Sequence, residues 1–144
     1  MRRTLAIIPM VIFASCVSDT AADAEDRRID YATYIDAPTT VEYDSEKHDF
    51  GEVTDGDIVK HSFKFTNTGD NNLVLIDVKG SCGCTVPENW PKEPIPPGET
   101  GQIDVEFNSK GRPGSVTKSV NVEANTNPTV TKLYITGKVN KKAN

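Results

Sequence analysis

From Val41 onward, apolar residues recur at every second position. Val59, His61, Phe63 and Phe65 share one face of an extended segment, and Ile103, Val105 and Phe107 alternate with Asp104 and Glu106. Val116, Val120 and Val122 mark a further strand whose apolar face Lys118 interrupts, and Leu133, Ile135 and Val139 mark another. Leu73 to Val78 is a nearly continuous apolar run, and residues 41–50 supply one more strand, around Tyr43 to Phe50. A period of two is the signature of half-buried strands. The breaks between them carry turn chemistry: NTGDNN at 67–72, PPGETG at 96–101, KGRPG at 110–114 and NTNP at 125–128. Pro97-Gly98 suits the centre of a type II turn, where proline presets φ and glycine takes the positive φ that follows. Short strands at this spacing, with no helical segment between them, predict an antiparallel β-sandwich of about seven strands.

The pattern before Val41 is different. Arg2 and Arg3 precede the apolar run LAIIPMVIFA, and small residues follow it. A basic start, a short apolar stretch and small residues describe a secretory signal. The run is too short to span a bilayer, which needs about 20 residues of helix, and Pro9 in its middle argues against a core helix. The stretch ends FASC, which resembles the lipobox of bacterial lipoproteins despite Phe13 where leucine is usual. That resemblance implies removal of residues 1–15 and lipidation of Cys16. Residues 16–40 then follow as an acidic tether, in which six Asp and Glu face Arg27 and Arg28 and no apolar period is sustained. Low hydrophobicity with net charge favours a solvated linker, with a short helix in ADAEDRRIDYATYI as a minor expectation.

Charge narrows the partners. The chain has 16 basic and 21 acidic residues. Losing Arg2 and Arg3 with the signal leaves 14 against 21, a balance of −7. That disfavours nucleic acid and anionic lipid surfaces, so contact with the membrane is expected through the lipid alone. The remaining length suits one domain, residues 41–140, with a tail at 141–144.

HDFGEV, FTNTGD, SCGCT, PPGETG, GRPG and LYITGKV occur in that order between His48 and Val139. In this they resemble the bacterial domain of unknown function 1573 family. The resemblance implies an immunoglobulin-like sandwich, in the style of major sperm protein and periplasmic pilus chaperones, in secreted or lipid-anchored proteins. It implies no particular activity.

The candidate chemistry is sparse. The sequence has no phosphate-binding Gly-Lys-Ser/Thr loop, no GxSxG and no HExxH. His48 and His61 are not paired in sequence, and His61 suits a satisfied strand residue better than a ligand. Cys82 and Cys84 stand two apart after the strand at 73–78. Residues at that spacing lie about 6.6 Å apart in a strand, at the limit of the roughly 4.4–6.8 Å that a disulfide tolerates. Gly83 offers a way to shorten the gap. An oxidising compartment favours a Cys82–Cys84 disulfide. The alternatives are a copper or zinc site on the two thiolates and a redox-active pair. Trp90, in the proline-rich PENWPKEPIPP, suits a lid on the sandwich or an anchor for a partner. Arg112 suits a turn or an exposed contact.

The expectation is therefore a lipid-anchored, monomeric envelope protein facing the periplasm or exterior. It has no catalytic residues and no cofactor, and it binds an envelope protein partner or serves a structural role. The alternative is a thiol protein using Cys82 and Cys84 for copper or zinc binding or disulfide exchange.

Overall fold

In a computed structural model, which describes residues 31–83 and 85–143, a short helix and eight strands follow one another. They are α1 (Tyr31–Ile35), β1 (Val41–Tyr43), β2 (Lys47–Thr54), β3 (Ile58–Asn67), β4 (Leu75–Gly80), β5 (Thr85–Asn89), β6 (Thr100–Asn108), β7 (Gly114–Ala124) and β8 (Val130–Asn140). They form two four-stranded sheets, ordered β1-β3-β6-β5 and β2-β8-β7-β4. Phe63, Phe65, Ile103, Leu133, Ile135 and Val120 alternate inward from these strands and are buried between the sheets. The β-sandwich expected from the period-two pattern is present. Burial of this apolar surface is its main driving force.

Two details differ from the expectation. The single strand expected around 43–50 is two strands in different sheets. Asp44 N–H donates to the Lys64 carbonyl at 3.1 Å, the last bond to β3, while Tyr134 N–H donates to the Glu46 carbonyl at 2.7 Å, the first to β8. Ser45 makes the corner, its hydroxyl donating to the Lys47 carbonyl at 2.7 Å. As a result β2 runs parallel to β8, so the sandwich is not wholly antiparallel. The second difference is β5, a strand that the alternation does not mark and whose last three residues open the proline-rich PENWPKEPIPP. It is an edge strand that carries Pro87, and an edge tolerates a residue without an N–H. The Pro97-Gly98 turn forms as expected: Glu99 N–H donates to the Pro96 carbonyl at 3.1 Å, and Gly98 has φ 80°.

The sandwich has two dissimilar ends. One gathers the loops at 67–72, 96–99 and 124–129, and two buried asparagines hold it together. Asn67 donates to the carbonyls of Asn71 at 2.8 Å and Ile95 at 2.9 Å. Its Oδ1 accepts from the Thr39 hydroxyl at 2.9 Å and from Gly69 N–H at 3.2 Å. Asn125 Oδ1 accepts from Val74 N–H at 2.8 Å, and its Nδ2 lies within hydrogen-bonding distance of the carbonyls of Asn72, Ala37 and Tyr34. Buried amides of this kind are stable only when their donors and acceptors are matched.

The signal segment and most of the expected tether lie outside the described residues. The last part of the tether, residues 31–40, is not a solvated spacer. α1 and the chain after it are tied down by Asn125, Asn71 donates to the Pro38 carbonyl at 2.9 Å, and Thr39 is buried. Polar anchoring of backbone carbonyls, rather than an apolar stripe, fixes this stretch, so hydrophobic periodicity does not reveal it. A domain beginning at residue 31 keeps these contacts. One beginning at residue 41 loses the Thr39 and Pro38 contacts and leaves Asn67 and Asn125 partly unmatched, at a cost of about 2–3 kcal/mol. Equal urea midpoints for the two would contradict this assignment.

Candidate functional site

The opposite end gathers the turns at 54–57, 81–83 and 109–114, and with them Cys82 and Arg112. The backbone there is densely cross-tied. Ser109 N–H donates to the Asp57 carbonyl at 3.0 Å, and its hydroxyl donates to the Thr54 carbonyl and accepts from Gly56 N–H, both at 3.0 Å. Gly111 N–H donates to the Asp55 carboxylate at 2.6 Å. Gly111 has φ 72° and Gly114 has φ 111°, conformations that glycine adopts without strain. Arg112 stands exposed on this frame, its guanidinium donating to the Lys110 carbonyl at 2.6 Å.

Cys82 follows β4 and is half-buried against a cluster of Val59, Phe107, Val116 and Val139. Thr85 N–H donates to the Cys82 carbonyl at 3.1 Å, closing a tight turn around Gly83. Ser81 fastens the turn to β7: its N–H donates to the Ser119 carbonyl at 2.8 Å, and its hydroxyl accepts from Ser119 N–H at 3.2 Å. The Cys82 sulfur lies 3.9 Å from the Thr85 hydroxyl. Cys84 and Cys16 both lie outside the described residues. Gly83 does not have a positive φ, and its α-carbon faces open space. The glycine that the turn requires is Gly80, where a β-carbon would overlap the Thr85 carbonyl oxygen.

Trp90 is half-buried and packs on the main core, the lid arrangement. The Lys92 ammonium sits over its ring, 2.7 Å from the centroid, a cation–π contact. Desolvation there holds Lys92 below its ordinary range, against the pull of Asp77.

The two histidines that seemed unrelated in sequence meet in the structure. His48, on β2, and His61, on β3, stack with ring centroids 3.7 Å apart and planes 7° from parallel. His61 also meets Phe63 edge to face, with centroids 4.6 Å apart. Burial, and secondarily the charge of His48, holds His61 below its ordinary range. The alternation His48–Phe50 and His61–Phe63 places both imidazoles inward. What the sequence hides is that β2 and β3 lie in facing sheets. Among the described residues, no three His, Cys, Asp or Glu side chains converge as a metal site. No helix among them is long and apolar enough to cross a membrane, which leaves membrane β-barrels unaddressed.

Two packed sheets with an early strand switching between them, so that β2 pairs in parallel with the last strand, define an immunoglobulin-like β-sandwich. The chain belongs to the family described as protein of unknown function DUF1573, whose pattern matches residues 41–139. No curated protein matches it. Its fold is similar to the secreted serine protease VesC from Vibrio cholerae, with 15% identity and TM-score 0.58, over 70% of this chain and 23% of that one. It is similar also to a protein of unknown function from Porphyromonas gingivalis, with 16% identity and TM-score 0.59, over 70% and 47%. A third likeness is to PapD-like domain 7 of human CEP192, with 14% identity and TM-score 0.53, over 74% and 89%. The chain spans about a quarter of the first of these and about half of the second. At such identities the likenesses concern the fold alone.

Proposed function

We propose that this is a lipid-anchored envelope protein whose sandwich binds a protein partner without catalysis, through the end that carries Arg112 and the Cys82 turn. The observation that carries the reading is the polarity of the domain. The N-terminal segment joins the sandwich at the Asn67–Asn125 end, whereas the cross-tied turns stand at the other end. A lipid on Cys16, implied by the FASC junction, leaves those turns farthest from the membrane, on a frame already ordered for contact. Pre-ordering of this kind lowers the entropic cost of binding. Arg112 suits a contact there, whereas Trp90 is spent largely on the core. Cys82 and Cys84 are bridged in this reading, and the bridge shapes the turn without any metal; the tight turn closed by Thr85 N–H on the Cys82 carbonyl supports it.

The test has two arms in cells expressing the full chain. Cys16→Ala should release the protein from the membrane fraction; retention at the parental level defeats the anchor. A photo-crosslinking residue at Arg112 should trap one defined protein in intact envelopes, and the same residue at Asp70, at the opposite end, should not. Equal trapping from both positions, or none from Arg112, defeats the assignment of the binding end. Alkylation of Cys82 and Cys84 without reductant in the purified protein would rule out the bridge.

A further inference from the structure

The stacked histidines lie where the sandwich is least securely closed. β2 is an edge strand, joined only to β8, and its register slips between Asp49 and Glu52. β3 is held on both sides, by β1 and β6. The contact between His48 and His61 therefore spans the two sheets, with one partner fixed and the other on the strand freer to move. The next inward side chain of β2, Phe50, stacks on Phe107 at 5.6 Å and fills the space over Gly137.

We propose that the His48–His61 stack is a pH-sensitive latch, which holds β2 against the sandwich while His61 is neutral and releases this edge as His61 takes up a proton. Two imidazolium ions 3.7 Å apart repel, and the half-buried position of both rings denies them full hydration. The surrounding groups give little relief. Along the inner row, His48 lies beside Ile135 of β8, which lies beside Lys118 of β7, and His61 lies beside Val105 of β6 and then Pro87 of β5. The nearest titratable side chain on that row, Lys118, is itself a cation. Lys47 and Asp49 on β2, Lys60 on β3, Asp104 and Glu106 on β6, Glu88 on β5 and Tyr134 on β8 alternate to the outer faces. Asp44 and Glu46 occupy the exposed corner between β1 and β2, and Tyr43 points inward from β1.

The direction of the effect follows. His61 takes up its proton less readily in the closed form than when released. The stability it lends is thus present above about pH 6.5, the ordinary imidazole value, and is lost as pH falls from there through its depressed value. Release of β2 uncovers the Phe50 ring and frees a strand edge able to pair with another chain. The latch does not depend on where the protein is anchored or on what it binds.

The test follows both imidazoles of the whole chain by NMR titration, together with amide exchange of β2 and β7. His61 should titrate below about 6.5, and its midpoint should rise in His48→Gln. Between pH 7.5 and 5.5, exchange from β2, corrected for its intrinsic rate, should accelerate relative to β7. The gain expected at full protonation is about tenfold for each unit by which His61 is depressed. That acceleration should disappear in the variant carrying both His48→Gln and His61→Gln. An ordinary His61 midpoint unmoved by His48→Gln, or β2 exchange that tracks β7 at both pH values, overturns the latch. If the variants do not fold, the titration and exchange of the unaltered chain decide the matter.

Discussion

Replacing Asn67 with alanine is expected to remove about 3–5 kcal/mol of stability, a large part of the 5–15 kcal/mol typical of a domain. The side chain is fully buried. Alanine leaves the Asn71 and Ile95 carbonyls without its two donors, and leaves the Thr39 hydroxyl and Gly69 N–H without their acceptor. Each bond is worth about 1 kcal/mol net, and a buried group left unmatched costs about 1–3 kcal/mol. Water entering the vacated space offsets part of the sum. Asn67→Asp keeps the shape and the acceptor but loses both donors and turns a carboxylate toward two carbonyls, so it should be no milder at neutral pH. Urea denaturation measures both. A loss below about 1 kcal/mol for the alanine variant would show that the end of the sandwich does not depend on this node.

Gly80→Ala is expected to be similarly damaging by a different route, at about 3 kcal/mol or more. The added methyl would overlap the Thr85 carbonyl oxygen and come within 2.8 Å of its carbon. These are backbone atoms, which cannot rotate away as a side-chain tip can. Overpacking commonly costs about 1–3 kcal/mol even where side chains adjust. The strain falls where β4 hands over to β5, so the Cys82 turn should be displaced as well. Gly83→Ala, three residues on, supplies the comparison: its site is open and its φ is not positive, and it should shift the urea midpoint by less than about 1 kcal/mol. If the two variants unfold together, the crossing at Gly80 is not the constraint described.

Much of the fold was legible because alternation of the Phe63–Phe65 or Leu133–Ile135 kind reports a buried face directly. The register of Pro97-Gly98 was legible because few turns demand that pair. Alternation does not reveal which sheet a strand joins, so the handover at Ser45 and the encounter of His48 with His61 stayed hidden. β5 was masked by Pro87 and Asn89, residues that disfavour strands except at an edge. The NTGDNN and NTNP blocks read as turns, yet Asn67 and Asn125 act chiefly through their buried amides. Asparagine is so common in turns that its presence does not distinguish the two roles. Arg112 and Trp90 could each be placed at a loop from the sequence. Which of them faces outward was decided by long-range packing that no local pattern encodes.

The fastening of residues 31–40 also has a mechanical side. β1 begins at the Asn67 end and runs away from it beside β3, paired from Val41–Asn67 to Tyr43–Phe65. A pull on the N-terminal segment along the strands first loads the contacts between Asn125 and the carbonyls of Tyr34 and Ala37. It then draws β1 lengthwise past β3. Bonds stretched in that direction share the load and break together, whereas a strand peeled sideways loses them one at a time. The domain thus meets tension from its N-terminal side as a clasp of a few bonds followed by a sheared strand pair, and the Cys82 turn at the far end lies outside the loaded path.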